Sequence, residues 1–206
     1  MTYNEFKEYL ARFVWRDGDA PFEAELDNLI KMGTARLNRD LRISRMVKAA
    51  DLSVVDDAAP LPEDYLELRV VTSRFHPSAM MYVTPHEYDR LKTPSRSRMG
   101  SIYTILGREL RFLGAEFAAG LPQVTISYYA KLPDFAAEDT SWLAEEFLDL
   151  YTYAVLRHTA SYLRDDERVA LWQNEYMETL ASVKEAAYNE KYAGSPLTVR
   201  LPGQVA

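Results

Sequence analysis

The sequence of 206 residues contains no cysteine. Disulfide bridges, thiolate nucleophiles and cysteine-ligated zinc sites are therefore excluded. The chain also lacks the long apolar run of a membrane-spanning helix, and its N-terminal stretch MTYNEFKEYLARF carries acids where a secretory signal would carry a basic start. We therefore expect a protein that stays in solution and has no membrane segment.

Signatures of enzyme sites are scarce as well. The three histidines, His76, His86 and His158, have no second histidine or carboxylate at a metal-ligand spacing, and no glycine-rich phosphate loop or GxSxG stretch occurs. We expect no enzyme activity, no catalytic residue, no metal and no cofactor, with His158 in the core. A hydrolase whose site is assembled from distant segments stays open as a weaker alternative. A deep pocket in which His158 or His76 meets carboxylates would support it.

The composition is that of a folded protein with one substantial core, or a core with a smaller lobe, because 48% of the residues are hydrophobic. The 31 acidic and 24 basic side chains give a formal net charge of -7. This balance argues against a protein whose main task is to wrap nucleic acid.

Two N-terminal segments repeat apolar residues every three or four positions, the period of a helix with one buried face. In the first segment these residues are Phe6, Tyr9, Leu10, Phe13 and Val14. In the second, which Pro21 opens, they are Phe22, Leu26, Leu29, Ile30, Leu37 and Leu41. We predict two helices, the second running to the region of Leu41.

Strand patterns separated by turn signals occupy the middle of the chain. YLELRVV and LPQVTISYYAKLP predict strands, and TPHEYDRL predicts a short helix entered through Thr84 and Pro85. In SIYTILGRELRFL, two apolar runs separated at Gly107 and Arg108 predict a tight hairpin. Together these patterns predict a small antiparallel sheet inserted between helices.

Helical periodicity returns after DFAAEDTS, where Asp139, Thr140 and Ser141 are candidate N-caps. One stripe comprises Leu143, Phe147, Leu150, Tyr151, Ala154, His158 and Tyr162. After the acidic turn at 165–167, a second stripe comprises Val169, Trp172, Tyr176, Leu180, Val183 and Ala187. The short link between the two stripes predicts an antiparallel helical hairpin.

These patterns predict an α+β protein. Residues 1–42 and 134–192 would form an antiparallel helical bundle, 43–133 an inserted β-rich lobe, and 193–206 an extended C-terminal arm.

Basic residues recur every three positions at the end of the second helix and beyond it. This series consists of Arg36, Arg39, Arg42, Arg45 and Lys48, and a later loop adds Lys92, Arg96 and Arg98. A solvated surface explains both sets, but the cations can also meet an acidic partner or DNA phosphates. By contrast, residues 134–190 contain 13 acids and four bases. Acidic and basic residues are therefore unevenly distributed along the chain, which suits head-to-tail or ring assembly.

Six fragments carry a family resemblance when taken in order. They are PEDYLELR, VTPHEYDRL, YTILGRELRFL, TISYYAKLP, DLYTYAVLRHTASYLRDDERVALW and AGSPLTVR. The succession resembles the head-to-tail connector adaptors of tailed bacteriophages, especially the short-tailed phage adaptors of the tail tubular protein A type. The similarity spans nearly the whole chain.

The resemblance implies a non-enzymatic virion protein of the phage neck that is assembled in the host cytoplasm. It implies a homo-oligomeric ring beneath the portal protein, of about twelve subunits if it follows the portal's cyclic symmetry. The ring would extend the DNA channel, let genomic DNA pass without specific binding, and attach the tail nozzle protein. A nucleic-acid-binding accessory protein that uses the Arg36 to Lys48 series is the alternative.

The C-terminal segment AGSPLTVRLPGQVA alternates apolar and polar residues after Gly194 and Pro196, as an extended segment does. The resemblance implies that it reaches the portal, and the docking residues would be Ser195, Pro196, Leu197, Thr198, Val199 and Arg200. A disordered chain end is the open alternative.

Overall fold

The structure of the chain, a computed structural model, describes residues 1–73, 80–92, 102–114 and 123–192. Helices and antiparallel strands are both present, which confirms the predicted α+β class. The chain forms two compact units, one of Met1–Ser44 with Pro133–Ala206 and one of Arg45–Leu132. The C-terminal arm lies outside the described residues.

Seven helices are described. In chain order they are α1 Tyr3–Phe13, α2 Ala20–Asp40, α3 Pro85–Leu91, α4 Phe135–Glu138, α5 Trp142–Glu146, α6 Leu148–Leu163 and α7 Asp166–Tyr192. A short 3-10 turn, Ser44–Met46, precedes the first strand. All helices except α3 belong to the first unit. None of the described helices is long and apolar enough to cross a membrane.

Helix α2 is the central element of the first unit, and its predicted apolar stripe is buried from Phe22 to Leu41. Hydroxyl groups from three other helices contact polar side chains of α2. The pairs are Tyr3 with Asp27 at 2.7 Å, Tyr151 with Thr34 at 2.7 Å, and Tyr176 with Asp40 at 3.0 Å. Because a buried hydroxyl is costly without a partner, these bonds select one arrangement of α1, α6 and α7 around α2.

Gly33 allows α2 and α6 to approach closely. A Cβ atom at this position would lie 2.7 Å from Cγ2 of Val155 and 3.2 Å from its Cα and backbone nitrogen. The close approach of Val155 therefore favours glycine at this position. The backbone conformation of Gly33 is helical and does not itself call for glycine.

The predicted stripe from Leu143 to Tyr162 is not one continuous helix. Phe147, with φ −132° and ψ 56°, separates α5 from α6. Glu146 is the last residue of α5, where a negative charge is unfavourable, whereas Asp149 lies in the first turn of α6. This charge order favours a new helix start after Phe147. Tyr162 is 45% exposed, so the stripe is also less buried at its end than predicted.

The second unit contains seven described strands. They are β1 Val47–Ser53, β2 Ala58–Pro60, β3 Tyr65–Ser73, β4 Met81–Tyr82, β5 Ile102–Leu106, β6 Glu109–Leu113 and β7 Gln123–Ala130. They form two sheets, with strand orders β1-β7-β3 and β2-β6-β5-β4. The prediction of one antiparallel sheet was therefore wrong in two respects. The strands form two sheets instead of one, and β4 and β5 pair in parallel. A helix lies between them in sequence, as a parallel connection requires.

The local predictions for this unit are confirmed. Thr84 caps α3 by accepting a hydrogen bond from the Glu87 backbone N–H at 3.3 Å. Gly107 has φ +60° and opens the two-residue turn between β5 and β6. On β7 the predicted alternation places Ile126 in the core.

We expect Gly33→Ala to reduce the free energy of unfolding by about 1–2 kcal/mol. Helix propensity alone favours alanine by about 1 kcal/mol, but forcing a methyl group against Val155 costs about 1–3 kcal/mol. Denaturant unfolding measures the difference. The double variant Gly33→Ala with Val155→Ala is the control. Its loss of unfolding free energy should be smaller than the sum of the losses in the two single variants. A gain in stability in Gly33→Ala alone would contradict the close packing.

Candidate interaction surfaces

The first residue of the basic series is used inside the helical bundle. Arg36 forms an ion pair with Asp40 one helical turn later, and the Tyr176 hydroxyl donates to the same carboxylate at 3.0 Å. Tyr176 is completely buried, and burial followed by the Asp40 hydrogen bond raises the pKa of its hydroxyl well above the ordinary value. The positive charge of Arg36 therefore offsets the negative charge of the Asp40 carboxylate, which connects α2 to α7 through the Tyr176 hydroxyl.

Other members of the series also have partners within their own unit. Arg42 donates from Nη1 to the backbone oxygens of Asn38 and Leu41 at 2.8 and 2.6 Å, so it covers the end of α2. The Lys48 ammonium lies 2.7 Å from Asp64. The first three members lie in the first unit and the last two in the second.

Arg39, Arg45 and Lys48 are the exposed members of the series. Arg39 lies in the last turn of α2, where a cation is favoured by the helix dipole, and Arg45 lies on the 3-10 turn. Arg96 and Arg98, the other predicted partner-facing residues, lie outside the described residues.

His158 on α6 is surrounded by cations. Its Nε2 atom is buried without a hydrogen-bond partner among the described residues. Burial and then the charges of Arg157, Arg39 and Arg36 lower its pKa below the ordinary histidine value. The ring is therefore neutral at neutral pH, and the groups that affect it most strongly are not carboxylates that could orient it as a base.

A groove of about 650 Å³ lies between α1 and the start of α2. Its charged lining consists of Lys7, Glu8, Arg12, Asp17 and Glu23. No histidine lines this groove, and no described group of three His, Asp or Glu residues is arranged to hold a metal ion. His86 is exposed on α3, while His76 lies outside the described residues. The mixed charges suit contact with a polar protein surface.

Trp15 follows α1 in an unusual position. It has φ +59° and is 90% exposed. Its N–H donates to the Arg12 carbonyl at 3.1 Å, and the Arg16 N–H donates to the Ala11 carbonyl at 2.9 Å. This pair of bonds is the Schellman helix end, in which the left-handed position favours glycine. A large, exposed aromatic residue therefore occupies a position where the backbone conformation favours glycine.

Helix α7 has a second apolar face besides its buried stripe. Met177 and Tyr188 are 49% and 63% exposed, and the exposed Ala181 lies between them. Positions 177 and 188 are eleven apart, about three helical turns, so both lie on one side of α7. Glu178 and Glu185 border this side, and the exposed Lys184 lies on it between Ala181 and Tyr188. We call Met177, Ala181, Lys184 and Tyr188 with these two glutamates the α7 outer face.

The end of α7 extends beyond the packed part of the helix. With 27 residues it is about 40 Å long, against about 24 Å for the 16 residues of α6. After Val183 no described side chain of α7 is buried, and Ala187 alone among residues 184–190 is half-buried. The segment 193–206 therefore follows a helix end that makes few contacts with its own unit.

A family model described as SU10 adaptor protein matches residues 1–200. The chain belongs to the SU10 adaptor protein family. No curated protein matches it significantly. The resemblance to phage head-to-tail adaptors is thereby confirmed, and the SU10-family chain is a phage adaptor and a virion component whose family indicates partners on the portal and tail sides.

The SU10-family adaptor carries surfaces that the sequence did not reveal. Trp15 was not predicted as a surface residue, although its place just after an apolar stripe and before RDGDAP is a usable signal for a residue outside the helix. The α7 outer face was hidden because Met177 and Tyr188 lie outside the periodic stripe. The predicted docking residues 195–200 cannot be compared, because they lie outside the described residues.

We expect Trp15→Gly to raise the free energy of unfolding by about 0.5–1 kcal/mol. Glycine removes the left-handed strain, which costs about 1–2 kcal/mol. Part of this gain is offset because glycine increases the conformational entropy of the unfolded chain. Little apolar burial is lost, because position 15 is exposed. Thermal or denaturant unfolding measures the gain. Trp15→Ala is the control, because alanine keeps the strain and should not stabilise. A Trp15→Gly protein less stable than the original would show that the indole supports its own subunit.

Proposed function

We propose that this SU10-family adaptor forms a closed ring beneath the portal, extends the DNA channel and provides the attachment surface for the tail nozzle. The observation that carries the proposal is the family match over residues 1–200, which includes both units. The ring has about twelve subunits if it follows the portal's cyclic symmetry. Assembly takes place in the host cytoplasm, before the tail is completed.

The charge distribution supports a channel through which DNA passes without specific binding. The segment 134–190 holds 13 acids and four bases, and it includes α6 and α7 as far as Glu190. An acidic or neutral lining repels phosphates, so DNA slides instead of being held. We propose that the part of the ring that lines the channel carries such a surface.

We also propose that the adaptor has no enzyme activity. Support comes from His158, the histidine that the sequence placed in the core. Its strongest electrostatic neighbours are arginines, and a general base needs an orienting acceptor instead. A ring subunit acts by shape and contact, and it requires no catalytic group or cofactor.

The proposed portal-docking arm consists of Ser195, Pro196, Leu197, Thr198, Val199 and Arg200. Pro196 limits the conformational entropy lost on binding, Leu197 and Val199 provide apolar anchors, and Arg200 can pair with an acidic group. The end of α7 supports this role, because no described side chain of α7 after Val183 is buried.

A nucleic-acid-binding accessory protein is the second candidate, and the exposed positions of Arg39 and Arg45 favour it. Against it, Arg36, Arg42, Arg45 and Lys48 already have interactions of their own. Submicromolar duplex-DNA affinity at physiological salt, with a steep salt dependence, would support this candidate. Arg39→Gln with Arg45→Gln is the informative variant, because it spares the Arg36–Asp40 pair of the core.

The ring is tested by adding purified adaptor to its portal. We expect the adaptor alone to be monomeric or weakly associated in native mass spectrometry, because the buried stripes already complete a folded bundle. Electron microscopy of the mixture should show a closed ring with cyclic symmetry under the portal. A tight dimer that forms without portal and buries the C-terminal segment would contradict the proposal.

Removal of Gly194–Ala206 should abolish portal binding and leave the melting temperature unchanged, because the buried stripe of α7 ends before this segment. The full-length variant Leu197→Ser with Val199→Ser is the matched control, and it should lose binding without loss of chain length. A large fall in melting temperature would mean that the segment packs on its own subunit. Retained portal binding would mean that it is only a frayed chain end.

A further inference from the structure

We propose that Tyr3 acts as a latch on residues 134–141, which we call the return segment, and that this latch must be closed for a ring to assemble. The return segment carries the chain back into the helical bundle, because the second unit ends at Leu132 and the first resumes at Pro133. The requirement for assembly rests on the ring of the proposed function, whereas the latch itself can be measured in the free subunit.

Tyr3, the first residue of α1, contacts the return segment in two ways. Its N–H donates to the Asp139 backbone oxygen at 3.1 Å and to Oδ1 of the same residue at 3.2 Å. Its ring meets the Phe135 ring edge to face, with the two centroids 5.3 Å apart. Next to the Tyr3–Asp139 contact, Thr2 and Thr140 form an antiparallel bridge. The start of α1 therefore contacts the return segment near both of its ends.

The hydroxyl of Tyr3 connects this contact to α2, because it donates to Asp27 at 2.7 Å. Phe135 is 2% exposed and also packs against Phe6 and Tyr151, whose ring centroids lie 5.6 and 5.8 Å away. Through Tyr3 and Phe135, the return segment is joined to α1, α2 and α6.

The remainder of the return segment has little support of its own. Residues 136–140 are exposed, and α4 is a single turn. Asp139 has φ +55°, a left-handed conformation that is unfavourable for a residue with a side chain. The contact with Tyr3 holds this conformation. Its release relieves the strain and lets residues 136–140 open as one local unit, while the buried stripes of α2 and α6 stay in place.

The state of the latch sets the length of one of the two chain connections between the units. The other connection is at Ser44 and Arg45. When the latch is open, residues 133–141 form a free tether that can extend to about 30 Å. Such a tether has to be ordered again in every subunit of a ring, and this loss of conformational entropy weakens assembly. A closed latch removes most of that loss in advance.

Tyr3→Pro opens the latch selectively. Proline lacks the N–H, ring and hydroxyl contacts of Tyr3, but it is favoured at the first position of a helix and is compatible with the extended backbone of Thr2. In hydrogen exchange of the free subunit, we expect the amides of 135–140 to exchange at least tenfold faster and those of α7 to be unchanged. Tyr9→Ala is the matched control, because Tyr9 lies on the same helix but packs against Phe13. Equal exchange of 135–140 in Tyr3→Pro and the original protein would overturn the inference.

Thr2→Cys with Thr140→Cys closes the latch covalently. Bridge partners on antiparallel strands lie within the range of a disulfide, and the chain has no cysteine of its own. Oxidation should slow the exchange of 135–140 below the rate of the original protein, and a reductant should reverse this effect. A disulfide that forms without slowing this exchange would contradict the latch.

Ring formation on the portal tests whether the latch must be closed. We expect Tyr3→Pro to reduce the yield of rings at least tenfold, and the oxidised disulfide between positions 2 and 140 to restore it in the same chain. Rings that form equally well with Tyr3→Pro, or that fail when the disulfide is oxidised, would overturn the requirement. If the original protein forms no ring, the proposed function fails, and the exchange measurements still decide whether the latch exists.

Discussion

The close approach of α2 and α6 at Gly33 and Val155 is the constraint on which the helical unit depends. With no Cβ atom between them, the helix backbones lie near enough for the Tyr151 hydroxyl to meet Thr34 one residue after Gly33. Burial of this tyrosine raises its pKa to about 12, so the hydroxyl stays neutral in its place across the physiological range. A wider spacing would leave the buried Tyr151 hydroxyl without this partner, whereas the Thr34 hydroxyl would keep its hydrogen bond to the Ile30 carbonyl.

Much of this fold could be predicted from local sequence patterns. The stripes of α2 and α7, the cap of α3 by Thr84 and the turn at Gly107 each depend on a few neighbouring residues, which the sequence shows directly. The break at Phe147 could not be predicted from periodicity, because the apolar spacing continues across it. The division into two sheets was equally hidden, since strand pairing is a choice among distant segments.

The surfaces were less predictable than the core because a side chain's partners are a tertiary property. Arg36 and Arg39 look alike in sequence, yet one is paired with a carboxylate that also holds Tyr176, and the other is exposed in the last turn of α2. Charge alone therefore could not separate structural cations from cations available to a partner. The same limit applies to His158, whose position on an apolar stripe was visible in the sequence but whose arginine surroundings were not.

Exposed apolar side chains are common on folded proteins and require no special explanation by themselves. Trp15 differs because its backbone conformation favours another residue. At Gly33 and Gly107 the chain has the residue that the local geometry favours, and the subunit gains stability from both choices. At Trp15 it keeps a large ring in a position that favours glycine, although the folded subunit gains almost no burial in return. A bundle whose apolar stripes are buried without this side chain can tolerate the strain, and the indole is left accessible at the subunit surface.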